Sequence, residues 1–158
     1  MENLKASHPI ISITQELLLR SGFSGEVALI PGGQGGLPTL TIVSEQDLSM
    51  LIGKNGQNLN ALEHLVRLIA NRRQLVLDAI PFILDINNYR RSRSRQLVEL
   101  AKTAAQRVIS TQRAEALIPM TAFERRLVHT ELATHREVET ESIGNEPRRR
   151  IVIKPLAP

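Results

Sequence analysis

The sequence contains no cysteine and no tryptophan. Without cysteine there is no disulfide and no thiolate metal site, and nothing calls for an oxidising compartment. Aromatic residues make up 3% of the chain, which argues against modules that read bases on several stacked aromatics, such as RRM and OB folds. No apolar run approaches the length of a membrane span. The one apolar stretch near the start, residues 10–19, is broken by Ser12, Thr14, Gln15 and Glu16, so no signal peptide is visible. These absences predict a soluble, cytoplasmic protein with no membrane insertion and no bound cofactor or metal. What remains is ample for folding. The 158 residues allow one medium domain or two small ones, and 42% apolar content supports a real core.

Charge is unevenly spread. The net charge is +4, yet residues 1–85 carry six basic and eight acidic side chains, and residues 115–158 carry seven of each. Residues 86–114 hold seven basic side chains and one acidic. A basic stripe confined to one stretch points to a polyanionic partner more specifically than overall charge does.

The chain is organised around Leu51-Ile52-Gly53-Lys54-Asn55-Gly56-Gln57-Asn58-Leu59. Ser44 and Asp47 read as a capping box for a short helix through about Ile52. Leu59, Leu62, Val66 and Ile69 recur at helical spacing, so Gln57 to about Arg73 reads as an amphipathic helix. Between the two helices, the glycines give backbone freedom and let a ligand backbone approach. The second helix opens with a dipole that favours anions, and Lys54 adds a positive charge at the tip.

The flanks give an order. Pro9 to Ser21 reads as a helix with Ser7 as its cap. Phe23 to Ile30 and Thr39 to Val43 read as strands joined by the glycine-rich loop 31–36, which lacks the lysine and the strand–loop–helix setting of a P-loop. Leu75 to Ile80 reads as either a helix end or a short strand. Phe82 to Ile86 is a further strand. Helix, strand, strand, helix, G-x-x-G loop, helix, strand is the order of a type II KH domain, whose loop clamps about four nucleotides of single strand.

Asn87 to about Arg113 reads as a long helix with an apolar stripe of Leu97, Ala101, Ala104 and Val108. Arg91, Arg95 and Lys102 lie near one line on it, flanked by Arg90 and Arg93. With one acid in the stretch, salt bridges within the helix do not account for these cations, and the stripe reads as a face for nucleic acid or another anionic partner. Glu115 to Pro119 is a short strand. Thr121 with Glu124 is a capping box for a helix to about Thr134. Val138 to Ser142 and Arg149 to Lys154 are strands about a turn at 144–147. Arg125 and His129 fall one turn apart, with Arg126 beside them and Arg149 entering on the last strand. Arginine and histidine can hold phosphate and stack on bases. His8, His64 and His135 fall in no constellation.

Taken together, these residues resemble the Jag (SpoIIIJ-associated) family, in which a KH domain is followed by an Arg-x-x-x-His domain. The resemblance rests on Leu51 to Leu62, Leu84-Asp85 with Tyr89-Arg90, and Pro119-Met120 with Glu124-Arg125-Arg126-Leu127-Val128-His129. Val138 to Ser142, Gly144, Pro147 and Arg149 to Ile153 complete it. It implies an α+β protein with a type II KH domain over 1–88. A long basic helix joins this to a small Arg-x-x-x-His domain, the two together spanning 89–158. Many family members carry a further N-terminal Jag domain, whereas this sequence begins close to its first KH helix.

The implied function is non-enzymatic binding of single-stranded RNA, with single-stranded DNA as the alternative ligand. The family links this to post-transcriptional control of cell elongation and envelope synthesis. A small KH-only protein, or a second copy of the chain, is the implied protein partner. The expected contacts are Ile52, Gly53, Lys54, Asn55, Gly56 and Leu59 at the loop, Arg90, Arg91 and Arg95 on the basic stripe, and Arg125, Arg126, His129 and Arg149 beyond it. Two other readings remain open. One is a protein-interaction adaptor that dimerises through the KH domain, and the other is a small phosphodiesterase using His129.

Overall fold

A computed structural model describes residues 8–32, 36–72 and 81–156. The proposed cap Ser7, the middle of the glycine-rich loop and the ambiguous stretch Leu75 to Ile80 lie outside them. The protein is α+β, and it divides into two compact units, Met1–Arg90 and Arg91–Pro158.

The first unit begins with helix α1, Pro9–Arg20, where proline at the first position costs no hydrogen bond. His8 takes the capping place, its Nδ1 accepting the Ile10 amide at 3.4 Å. Strands β1 (Glu26–Ile30) and β2 (Thr39–Val43) pair antiparallel, Leu29 against Leu40. Both alternate buried and exposed positions, as a half-covered sheet requires. Strand β3 (Ile83–Ile86) joins β2 in parallel, Leu40 beside Leu84. A parallel neighbour needs a long crossover, and short helix α2 (Ser49–Ile52), a 3-10 turn at Lys54–Gly56 and helix α3 (Gln57–Arg72) lie between the two strands in sequence. Helices α1 and α3 pack together and over the sheet. Their shared core contains Ile10, Ile13, Leu40, Ile42, Leu59, Val66, Phe82, Leu84 and Ile86.

The expected Ser44–Asp47 box does not form. Ser44 is drawn to the sheet: its hydroxyl donates to the Ser24 carbonyl at 2.6 Å and its own backbone pairs with the Asn87 side chain. Asp47 instead accepts the Ser49 amide at 2.9 Å, and that bond holds its carboxyl below the usual carboxylate range.

In the second unit, helix α4 (Tyr89–Thr111) contributes Leu97, Ala101, Ala104, Ala105 and Val108 to a core of its own. Helix α5 (Ala122–Leu132) adds Val128 and Leu132. Both lean on a sheet ordered β4 (Glu115–Ala116), β6 (Arg150–Pro155), β5 (Val138–Ile143), all antiparallel. Helix α5 starts on the capping box that its sequence announces. Thr121 accepts the Glu124 amide at 3.3 Å, and Glu124 accepts the Thr121 amide at 2.7 Å.

Candidate nucleic-acid interface

The loop ahead of α3 is shaped by three demands on the backbone within four residues. Gly53, Asn55 and Gly56 have φ of +68°, +54° and +76°. Only glycine enters that region freely, and asparagine is among the few other residues that tolerate it. The two glycines also answer to packing inside the unit. A Cβ on Gly53 would stand 2.5 Å from the Asn58 side chain, and one on Gly56 would stand 3.0 Å from the Tyr89 ring. Asn58 is fixed in place by donating to the Met50 carbonyl at 2.7 Å. The missing Cβ atoms therefore make room for Asn58 and Tyr89 within the unit. What faces outward is Lys54, exposed and without an ion pair among the described residues.

Ile52 is half-buried and packs against the core. Leu59 differs from expectation. At 0% exposure it is a core residue beneath α3, because it falls on the same helix face as Val66, and it cannot line an open groove.

The basic stripe resolves into paired and unpaired cations. Arg90 turns back onto its own unit: its Nε donates to the Leu84 carbonyl at 2.8 Å and its Nη2 meets Glu63 and Asn60 at 3.1 Å. Glu63 is shared between this arginine and Arg67, which meets its other oxygen at 2.9 Å. In the second unit, Arg93 pairs with Glu124 at 2.9 Å, Lys102 with Glu131 at 3.0 Å and Arg107 with Glu115 at 2.6 Å. These contacts hold the Lys102 ammonium above its ordinary range and the Glu115 carboxyl below it. The helix is short of acids within its own stretch, so its partners come from other elements that sequence spacing does not reveal. Arg91 and Arg95, one turn apart, are exposed and have no ion pair among the described residues.

Helix α5 divides its motif between inside and outside. Arg125 is 8% exposed. Its Nη1 donates to the Met120 carbonyl at 2.7 Å and contacts Glu146 at 2.8 Å. It thus ties the segment before α5 to the turn between β5 and β6, so most of its side chain serves the fold of the unit. His129 is exposed, with Nδ1 hydrogen-bonded to the Thr140 hydroxyl on β5. Arg126 is exposed and has no ion pair or hydrogen-bond partner among the described residues. Arg149 is exposed, its Nε donating to the Ser142 hydroxyl at 3.0 Å. Among the described residues no three His, Cys, Asp or Glu side chains gather where they could hold a metal, and no helix is long and apolar enough to cross a membrane.

Known proteins match these elements. Residues 95–155 match the R-three-H domain family, whose name spells the Arg-x-x-x-His spacing of Arg125 and His129. The RNA-binding protein KhpB of Clostridium symbiosum is 42% identical over 107 residues, covering 68% of this chain and 47% of that protein. KhpB of Lactiplantibacillus plantarum is 38% identical over 66% of this chain and 32% of its own length. KhpB of Bacillus subtilis is 34% identical over 70% of this chain and 53% of its own length. The chain thus spans between a third and about half of these relatives. With an Arg-x-x-x-His domain in its second unit and these relatives across two thirds of its length, the chain belongs to the Jag family.

Proposed function

We propose that this protein binds single-stranded RNA in the bacterial cytoplasm, without catalysis, through the loop 53–56 in its first unit and the outer face of α5 in its second. The first unit acts as a type II KH domain. Its support is the element order around the loop and the mixed sheet β1-β2-β3. The observation that carries the reading is Lys54. It is an exposed cation without an ion pair among the described residues, on a loop of left-handed backbone just ahead of a 16-residue helix whose dipole favours anions. The three KhpB relatives, each named an RNA-binding protein, make RNA the preferred strand. On this reading Lys54, Arg91, Arg95, Arg126 and Arg149 meet phosphates, Ile52 lies under a base, and His129 contacts the strand while anchored to Thr140. Arg125 and Leu59 shape the surface from beneath. A post-transcriptional role in cell elongation rests on the family resemblance.

The test is Lys54→Asp combined with Asn55→Asp, which keeps both glycines and the left-handed backbone that Asp tolerates. Binding of a labelled single-stranded RNA should weaken at least roughly tenfold, given that a charge-assisted contact is worth about 1.5–3 kcal/mol. Circular dichroism should stay unchanged. Equal affinity with an intact fold would remove the loop from the function.

A further inference from the structure

Resting on that reading, we infer that Phe123 is a base-stacking platform: one base of the bound strand lies on its ring while Arg126 holds the adjacent phosphate. The chain has three phenylalanines and one tyrosine. Phe82 is buried in the first core under the Arg67 guanidinium, and Phe23 and Tyr89 pack against that core. Phe123 alone is 71% exposed.

Its helix explains the position. On α5, Glu124, Arg125, Val128 and Leu132 point inward. The opposite side therefore presents Ala122, Phe123, Arg126 and Thr130, all exposed. Phe123 and Arg126 are three residues apart, so they stand side by side. Both acids of the helix are turned off this face, since Glu124 is buried with Arg93 and Glu131 pairs with Lys102. A flat apolar ring beside a guanidinium without an ion pair among the described residues, with neither acid of the helix on that face, fits a nucleotide: the ring takes any base and the cation takes its phosphate. The scarcity of aromatics excludes a module built on several stacked bases but leaves room for one. Sequence reading by the Arg-x-x-x-His spacing directs attention to Arg125, which faces the interior, and so passes over Phe123.

The experiment uses the full chain and a labelled 12-nucleotide single-stranded RNA, with the same oligonucleotide carrying abasic positions as control. Phe123→Ala and Phe123→Leu should each weaken binding to the normal strand by roughly five- to a hundredfold, the range for loss of one stacked base. Neither should matter on the abasic strand. Phe123→Trp should retain affinity, and because the chain has no other tryptophan, its fluorescence should be quenched by the normal strand and much less by the abasic one. High exposure of the side chain means all three variants should unfold at the wild-type urea concentration. Wild-type affinity in Phe123→Ala, or full retention in Phe123→Leu, overturns the stacking role. If the Lys54→Asp, Asn55→Asp protein is also weakened in that case, only the Phe123 assignment falls and the face belongs to a protein partner. If the wild-type chain binds no single strand at all, the stacking role falls together with the RNA-binding reading.

Discussion

Arg125 and Arg126 are neighbours with opposite tasks, and replacing each with alanine should separate stability from binding. Arg125→Ala removes the donor to the Met120 carbonyl and the partner of Glu146. A hydrogen bond from a charged group is worth about 1.5–3 kcal/mol, much of it the cost of leaving the buried acceptor unmet. The Glu146 side chain is 60% exposed, so that ion pair adds about 0–1 kcal/mol. Met120 also donates its amide to the Arg149 carbonyl at 3.1 Å, so loosening it loosens the edge of β6. Arg125→Ala should therefore lower the unfolding free energy of the second unit by about 2–4 kcal/mol. Arg126→Ala, at an exposed and unpaired position, should change it by less than about 0.5 kcal/mol. Urea denaturation followed by circular dichroism measures both, and binding of a single-stranded RNA below the transition measures the other half. The reasoning is refuted if Arg125→Ala is as stable as wild type while losing more affinity than Arg126→Ala, for that would make Arg125 the contact and its buried bonds incidental.

Two further outcomes follow from the charges. Lys54, Arg91, Arg95 and Arg126 are the predicted cationic contacts with neither an ion pair nor a hydrogen bond among the described residues, so together they should neutralise about four phosphates. Log affinity against log salt should then fall with a slope of about −3, at roughly −0.7 per phosphate on single strands; a slope near zero would mean these cations stay solvated. The Arg107 guanidinium holds Glu115 below its ordinary pKa by hydrogen bonding. This pair stabilises the fold above the unfolded glutamate pKa, near 4.3, and the stabilisation is lost as pH falls through the lowered value. Arg107→Gln should therefore flatten the acid side of a urea-midpoint profile, and parallel profiles for the two proteins would contradict the pairing.

Local signals in the sequence translated well where local forces decide. The Thr121–Glu124 box, the stripe of Leu97, Ala101, Ala104 and Val108, and the alternation in Thr39–Val43 each need only neighbours a few residues away. The Ser44–Asp47 box failed because a strand end and Asn87, distant in sequence, compete for Ser44. The same limitation governs the site. The left-handed loop at 53–56 is legible from its glycines and Asn55, but the glycine requirement comes from Asn58 and Tyr89, which only folding brings there. The arginine stripe looks uniform in sequence. Folding sorts it into Arg90 and Arg93, paired with Glu63 and Glu124, and Arg91 and Arg95, left exposed. Which side of α5 is buried is set by the sheet beneath it, and that decides between Arg125 and Arg126. A rule of thumb could have found this in part: Val128 and Leu132 mark the inner face, and Arg125 is three residues from the first of them.

The central claim is that the loop 53–56 of the first unit and the outer face of α5 in the second each hold single-stranded RNA. Ultraviolet crosslinking of the full chain to a uridine-containing single-stranded RNA, followed by mass-spectrometric mapping of the crosslinked peptides, tests it most directly. The account predicts adducts on the peptides carrying Ile52 to Asn55 and Phe123 to His129, suppressed by excess unlabelled single strand and not by an equal excess of duplex. Adducts confined to other surfaces, or no adduct above a non-binding control, would contradict it.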